Sequence, residues 1–186
     1  DKATVQKVYD NLDFHRGVEA FLSGIQIASM SALRKGCLEV GPPNTTVQIF
    51  EDLMDSKALW LTPNTTSIYN VAWLELSDEP MVIETPPDVL GIIDDHWFKY
   101  VGDFGRLGPD KGQGGKFLIL PPGYKNDVPD GYHVMRTNTF GNWVIWRGFQ
   151  VDGSTRQSVE TTKNTFRMYP LSQEDNPPKM IFVNMS

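Results

Sequence analysis

Asp94 and His96 stand two residues apart in a segment that reads as extended, so their side chains share one face, about 7 Å apart along the chain. A carboxylate so placed can orient an imidazole for proton transfer, or begin a metal site. A metal would need another ligand, and His15 and His133 are the only imidazoles left, at spacings that match no compact zinc signature. Asp94 and His96 are therefore the candidate acid–base pair of a hydrolase, with structural hydrogen bonding as the plainer reading. No metal or cofactor is expected.

Other catalytic sets find less support. Cys37 falls just past a predicted helix end, where backbone carbonyls disfavour a thiolate, and no serine sits in a Gly-x-Ser-x-Gly elbow. The segment GPDKGQGGK invites comparison with a phosphate loop. A Walker loop carries Gly six residues before its Lys and Ser or Thr after it, whereas Asp110 and Phe117 hold those places around Lys116. Three Asn-x-Ser/Thr sequences begin at Asn44, Asn64 and Asn184 and read as chance occurrences.

Aromatic residues are the other chemical resource. Tyr69, Trp73, Trp97, Tyr100, Trp143 and Trp146 recur in strand-like segments, and flat faces beside a few polar groups hold sugars and apolar ligands. The same residues equally suit the core of a sandwich. Arg147 shares a parity with Trp143, Ile145 and Phe149, which points it into an aromatic face where it would need a partner.

The elements that must position these groups are mostly strands. Residues 11–36 are the long helical candidate, with Asn11 or Asp13 as cap, Gly36 as terminator and a stripe of Phe14, Val18, Phe21, Leu22, Ile25 and Leu33 expected to pack. Val47 to Met54 leans to helix, and Lys57 to Leu61 to strand. Ile68 to Leu76 is apolar on both parities and, across the turn Ser77 to Pro80, forms an expected antiparallel hairpin with Met81 to Ile83. Val89 to Val101 reads as one extended segment, Gly102 to Gly115 as loop and Phe117 to Leu120 as strand. Tyr132 to Thr137 and Asn142 to Phe149 read as a second hairpin, and Ser154 to Thr165 as a short helix. The expected class is mainly β with α: an antiparallel, jelly-roll-like β-sandwich with an N-terminal helix and a short C-terminal helix.

Composition narrows the partners. With 186 residues, 40% of them hydrophobic, the chain can bury the core of one domain. A net charge of -6 offers no basic surface to nucleic acid, and one cysteine excludes an internal disulfide framework. No apolar run is long enough to cross a membrane, and the opening DKATVQKVYD lacks the features of a signal peptide. The chain stops soon after the apolar run Met180 to Val183, as a fragment of a longer protein would.

Four blocks carry a family resemblance: YDNLDFHRGVEAFL, TPNTTSIYNVAWLELSDEPMVIETP, KFLILPPGYKNDVPDGYHVMRTNTFGNWVIWRGFQVDG and YPLSQEDNPP. In order and content they resemble the DUF1254 family, whose members are commonly joined to a C-terminal DUF1214 domain and often carry an export signal. One position departs: the family usually has Asp ahead of Thr, Leu and Tyr, whereas here Thr66, Ser67 and Ile68 precede Tyr69. The resemblance implies a β-rich domain over residues 1–186, a second β domain after Ser186, and a periplasmic or exported location. It marks Asn64, Tyr69, Trp97 and Arg147 as motif matches, and with Trp73 and Tyr100 these are the candidate ligand-binding set. The expected function is an exported or envelope-associated module that binds a small molecule or sugar, or assembles with copies of itself. A hydrolase using Asp94 and His96 is the alternative, and a capsid-like structural role would rest on form alone.

Overall fold

A computed structural model of the chain describes residues 1–58, 60 and 62–186. Helix α1 spans Lys2–Val40, longer at both ends than the pattern suggested. Nothing in the first ten residues breaks a helix, and Asp1 caps it by accepting from the Thr4 amide at 2.9 Å. Gly36 therefore sits inside the helix, which ends at Gly41, where a Cβ would run into the Thr46 side chain.

Ten strands follow among the described residues: β1 (Thr46–Ile49), β2 (Ser67–Glu75), β3 (Met81–Thr85), β4 (Leu90–Asp95), β5 (Tyr100–Gly105), β6 (Gly115–Leu120), β7 (His133–Arg136), β8 (Gly141–Phe149), β9 (Arg167–Pro170) and β10 (Ile181–Asn184). Helix α2 (Arg156–Thr165) precedes β9, close to where the sequence placed it. Six strands form one sheet in the order β10-β1-β2-β8-β4-β5, and four form another in the order β7-β6-β3-β9. The protein is thus β-rich, with two sheets, a long N-terminal helix and a short second helix. Two pairs, β1 with β10 and β6 with β7, run parallel, a departure from the all-antiparallel expectation.

Several local expectations are corrected. The segment expected to lean helical from Val47 begins as β1, whose Thr46, Val47 and Ile49 are β-branched and buried. The expected strand from Lys57 to Leu61 falls partly on Leu59 and Leu61, which lie outside the described residues, and Lys57 is in a turn. The first hairpin does not form: β2 pairs with β1 and β8, while β3 pairs with β6 and β9 in the other sheet. Leu74, Leu76, Met81 and Ile83 instead share one core across the gap between sheets. An alternating pattern sets which side chains face inward, and edge pairing and face packing use the same pattern. The second hairpin fails for the same reason, since β7 joins the small sheet and β8 the large one.

The extended segment from Val89 is also broken. Asp95 accepts from the amides of Trp97 at 2.8 Å and Lys99 at 3.0 Å, and Phe98 takes a left-handed φ of 58°, which folds the chain back as the β4–β5 hairpin. Between the sheets, Trp146 stacks on Phe166 with centroids 4.1 Å apart and lies against Phe104. Gly91 leaves room for the Phe104 ring, which an added Cβ would strike. The outer face of the small sheet, including Leu118 and Tyr169, is covered by Tyr124, Val128 and Tyr132.

The outer face of the large sheet carries the site. Met30, Leu33 and Cys37 pack there on Val71, Trp73 and Trp143, and Arg34 reaches Glu75 at 3.4 Å. Among the described residues, the buried side chains of α1, Met30 and Cys37, belong to this last part. Of the expected packing stripe, Phe14, Val18, Phe21, Leu22 and Ile25 are exposed.

Candidate functional site: a groove between the helix and the large sheet

Strand alternation builds the floor. Tyr69, Val71 and Trp73 of β2 stand opposite Arg147, Ile145 and Trp143 of β8, and residues directly opposite in an antiparallel pair share a face. The C-terminal part of α1 forms one wall. Trp60, from the connection between β1 and β2, forms the other, stacked on Trp143 with centroids 6.2 Å apart and near Tyr69 at 6.4 Å and Phe50 at 6.1 Å.

Two cavities open along this wall. The larger, about 680 Å³, lies among Leu33, Cys37, Val40, Gln48, Trp60, Tyr69, Val71, Trp143 and Ile145. The smaller, about 390 Å³, lies among Ile25, Met30, Leu33, Trp60, Phe98 and Trp143. Both volumes fall in the range of small-molecule sites. Their surroundings are predominantly apolar, with Gln48, Thr62 and Tyr69 as polar exceptions in the larger one and Gln26 and Ser29 in the smaller. Burial pushes the Cys37 thiol up, with the Gln48 side chain pulling the other way, so this cysteine is held as a neutral thiol.

The predicted ligand-binding residues separate. Tyr69 and Trp143 wall the larger cavity, and Trp73 is buried beneath α1. Asn64 anchors the entry to β2: its Oδ1 accepts from Thr66 and Ser67, while its amide N–H and its Nδ2 both donate to the Tyr69 hydroxyl at 3.1 Å. Trp97 and Tyr100 are exposed on the β4–β5 hairpin, and Tyr100 donates to Asp103 at 2.9 Å. Trp146 faces the opposite way, into the inter-sheet core. Arg147 lies on the outer face between Tyr69 and Leu90, half-buried, and among the described residues no hydrogen-bond or ion-pair partner engages its guanidinium. Arg147 thus shares the outer aromatic face with Trp143 and Ile145, as its parity implied, but it is only half-buried and lacks the expected partner among the described residues.

Asp94 and His96 are not hydrogen-bonded to one another. The His96 ring lies edge-on to Trp73 at 5.3 Å, with Nε2 3.4 Å from the Ser31 hydroxyl, and its amide donates to Thr139 Oγ1 at 2.9 Å. Asp94 is buried on the outer face. Burial holds its carboxyl above the ordinary range, and the carboxylates of Asp95 and Asp103 add to the effect. Among the described residues no group of three or more His, Cys, Asp or Glu is placed to hold a metal ion, and no helix is long and apolar enough to cross a membrane.

Sequence reasoning missed Trp60, Phe98 and Leu33 as groove residues. Trp60 is a large aromatic in a short apolar run, Ala58 to Leu61, between polar stretches, and that run is the available signal.

Fold and site together define a two-sheet β protein whose larger sheet carries a helix-walled aromatic groove. Residues 43–170 match the family described as a protein of unknown function, DUF1254, and the chain belongs to that family. Its fold is similar to the crystal structure of the VPA0106 protein from Vibrio parahaemolyticus, with a TM-score of 0.64 and 16% sequence identity over 90% of this chain. The chain spans 41% of the length of that protein. Comparison with curated proteins finds no match.

Proposed function

We propose that this domain is a binding module that holds a small apolar molecule in the groove between α1 and the large sheet. The observation that carries the reading is the Trp60–Trp143 stack, which stands between two cavities whose surroundings are aliphatic and aromatic. A sugar would need several polar partners along its length, and the groove offers few, so apolar ligands suit it better. Titration with the neutral fluorescent probe N-phenyl-1-naphthylamine tests the reading: saturable enhancement is expected, and its absence would sink the idea.

Self-assembly is a second reading, favoured by the exposed stripe of Phe14, Val18, Phe21 and Ile25 on α1. Apolar surface of this extent commonly marks an interface. A second copy, or a C-terminal domain of the kind the family resemblance implies, would cover it. Light scattering of the chain in solution distinguishes monomer from dimer.

A further inference from the structure

We infer that the ligand is a neutral, elongate lipid-like molecule with a hydrogen-bond acceptor at one end, an inference that rests on the binding reading above. Length is the first argument. The two cavities share Leu33, Trp60 and Trp143, so those three side chains stand between them as a waist. Ile25 borders the smaller lobe and Val40 the larger, and both belong to α1. At the helical rise of 1.5 Å per residue those positions lie about 22 Å apart. A compact ring fills one lobe, whereas an extended alkyl chain passes the waist and occupies both.

Charge is the second argument. No Asp, Glu, Lys, Arg or His borders either lobe among the described residues. A carboxylate or ammonium seated on these surfaces would give up hydration without gaining a counter-ion from the lining, so the lobes favour a neutral ligand over an ionised one. Neutral ligands meet no such penalty.

Polarity at one end is the third. The Tyr69 oxygen accepts twice from Asn64, which leaves its own O–H proton to donate, and among the described residues that proton has no acceptor. Tyr69, Thr62 and Gln48 all border the larger lobe, whereas the polar neighbours of the smaller one are Gln26 and Ser29, both exposed on α1. A terminal hydroxyl or carbonyl oxygen placed there would accept from Tyr69, while the hydrocarbon runs along Leu33 towards Ile25.

The experiment is competition against bound N-phenyl-1-naphthylamine on the whole chain, using 1-dodecanol, 1-hexanol and dodecanoate at neutral pH. The expected order is 1-dodecanol tightest, with 1-hexanol and dodecanoate each weaker by about tenfold or more. Ile25→Trp, at an exposed helix position that leaves folding intact, narrows the smaller lobe and should weaken 1-dodecanol while leaving 1-hexanol unchanged. Dodecanoate binding as tightly as 1-dodecanol would overturn neutrality. Equal affinity for the two alcohols, or indifference of 1-dodecanol to Ile25→Trp, would overturn the two-lobe span. A probe that does not bind at all would defeat the binding module itself, an outcome separate from the other three.

Discussion

Trp60 lies over Trp143 with their planes 22° apart, and this contact ties the connection between β1 and β2 to the middle of the large sheet. Trp60 is half-buried and contributes to both cavities, so its removal opens the groove without emptying the inter-sheet core. Trp60→Ala should lower stability by only about 1–2 kcal/mol. Probe affinity should fall by about tenfold or more. Parallel urea melts and fluorescence titrations separate the two effects, and unchanged affinity would remove Trp60 from the site.

Trp146 provides the contrast, because it sits on the same strand as Trp143 and faces the other way. It is fully buried, stacked on Phe166 and packed near Phe104. Trp146→Ala should cost about 3–5 kcal/mol, the penalty of a large cavity in a close-packed core. A denaturation midpoint close to wild type would contradict the assignment of this residue to the inter-sheet layer.

The difference between these tryptophans shows what was legible beforehand. Alternation placed Trp143 and Trp146 on opposite faces of β8, and the apolar character of both faces of β2 correctly indicated cover on each side. Which cover lay where was not written in the pattern. An inward-facing row looks the same whether its neighbour is an adjacent strand or a facing sheet, so the pattern suggests hairpins of β2 with β3 and β7 with β8, whereas each pair divides between sheets. The parallel partners of β1 and β6 are set by contacts distant in sequence, which local spacing does not encode. Of the site, Tyr69 and Trp143 were legible as aromatic strand residues, whereas Trp60 acquires meaning only once the chain folds back on itself.

The parity of Arg147 with Trp143, Ile145 and Phe149 implies a side chain that needs a partner. It is half-buried on the outer face, and among the described residues nothing pairs with it. Removing an unpaired, partly solvated guanidinium leaves no orphaned counter-charge. Arg147→Ala should therefore change stability by no more than about 0.5 kcal/mol. A loss several times larger in a chemical melt would demonstrate a partner for the guanidinium after all.

The free part of α1 offers a test of self-assembly. Phe14 and Phe21 are two turns apart on one side of the helix, 68% and 63% exposed. Replacing both with Glu should leave the fold within about 0.5 kcal/mol of wild type, since neither residue packs on the sheets. If α1 mediates a dimer, the doubly substituted chain should run as a monomer in light scattering where the native chain does not. Identical masses for the two would assign the stripe no role in association.

Asp94 carries the pH prediction. Its folded carboxyl is raised above the ordinary value of 3.8, first by burial and then by Asp95 and Asp103, so the native state holds that proton more tightly than the unfolded chain does. Stability from this group is fully present below the ordinary carboxyl pKa and is lost as pH rises through the raised native value. Above it the protein carries an ionised, poorly solvated carboxylate on the groove-bearing sheet. Asp94→Asn keeps the shape and removes the titration, so the variant should melt higher than wild type at neutral pH, and the gap should close on acidification towards the ordinary carboxyl pKa. A gap that widened instead would mean that the native state stabilises ionised Asp94, and the sign of the burial effect would have to be reversed.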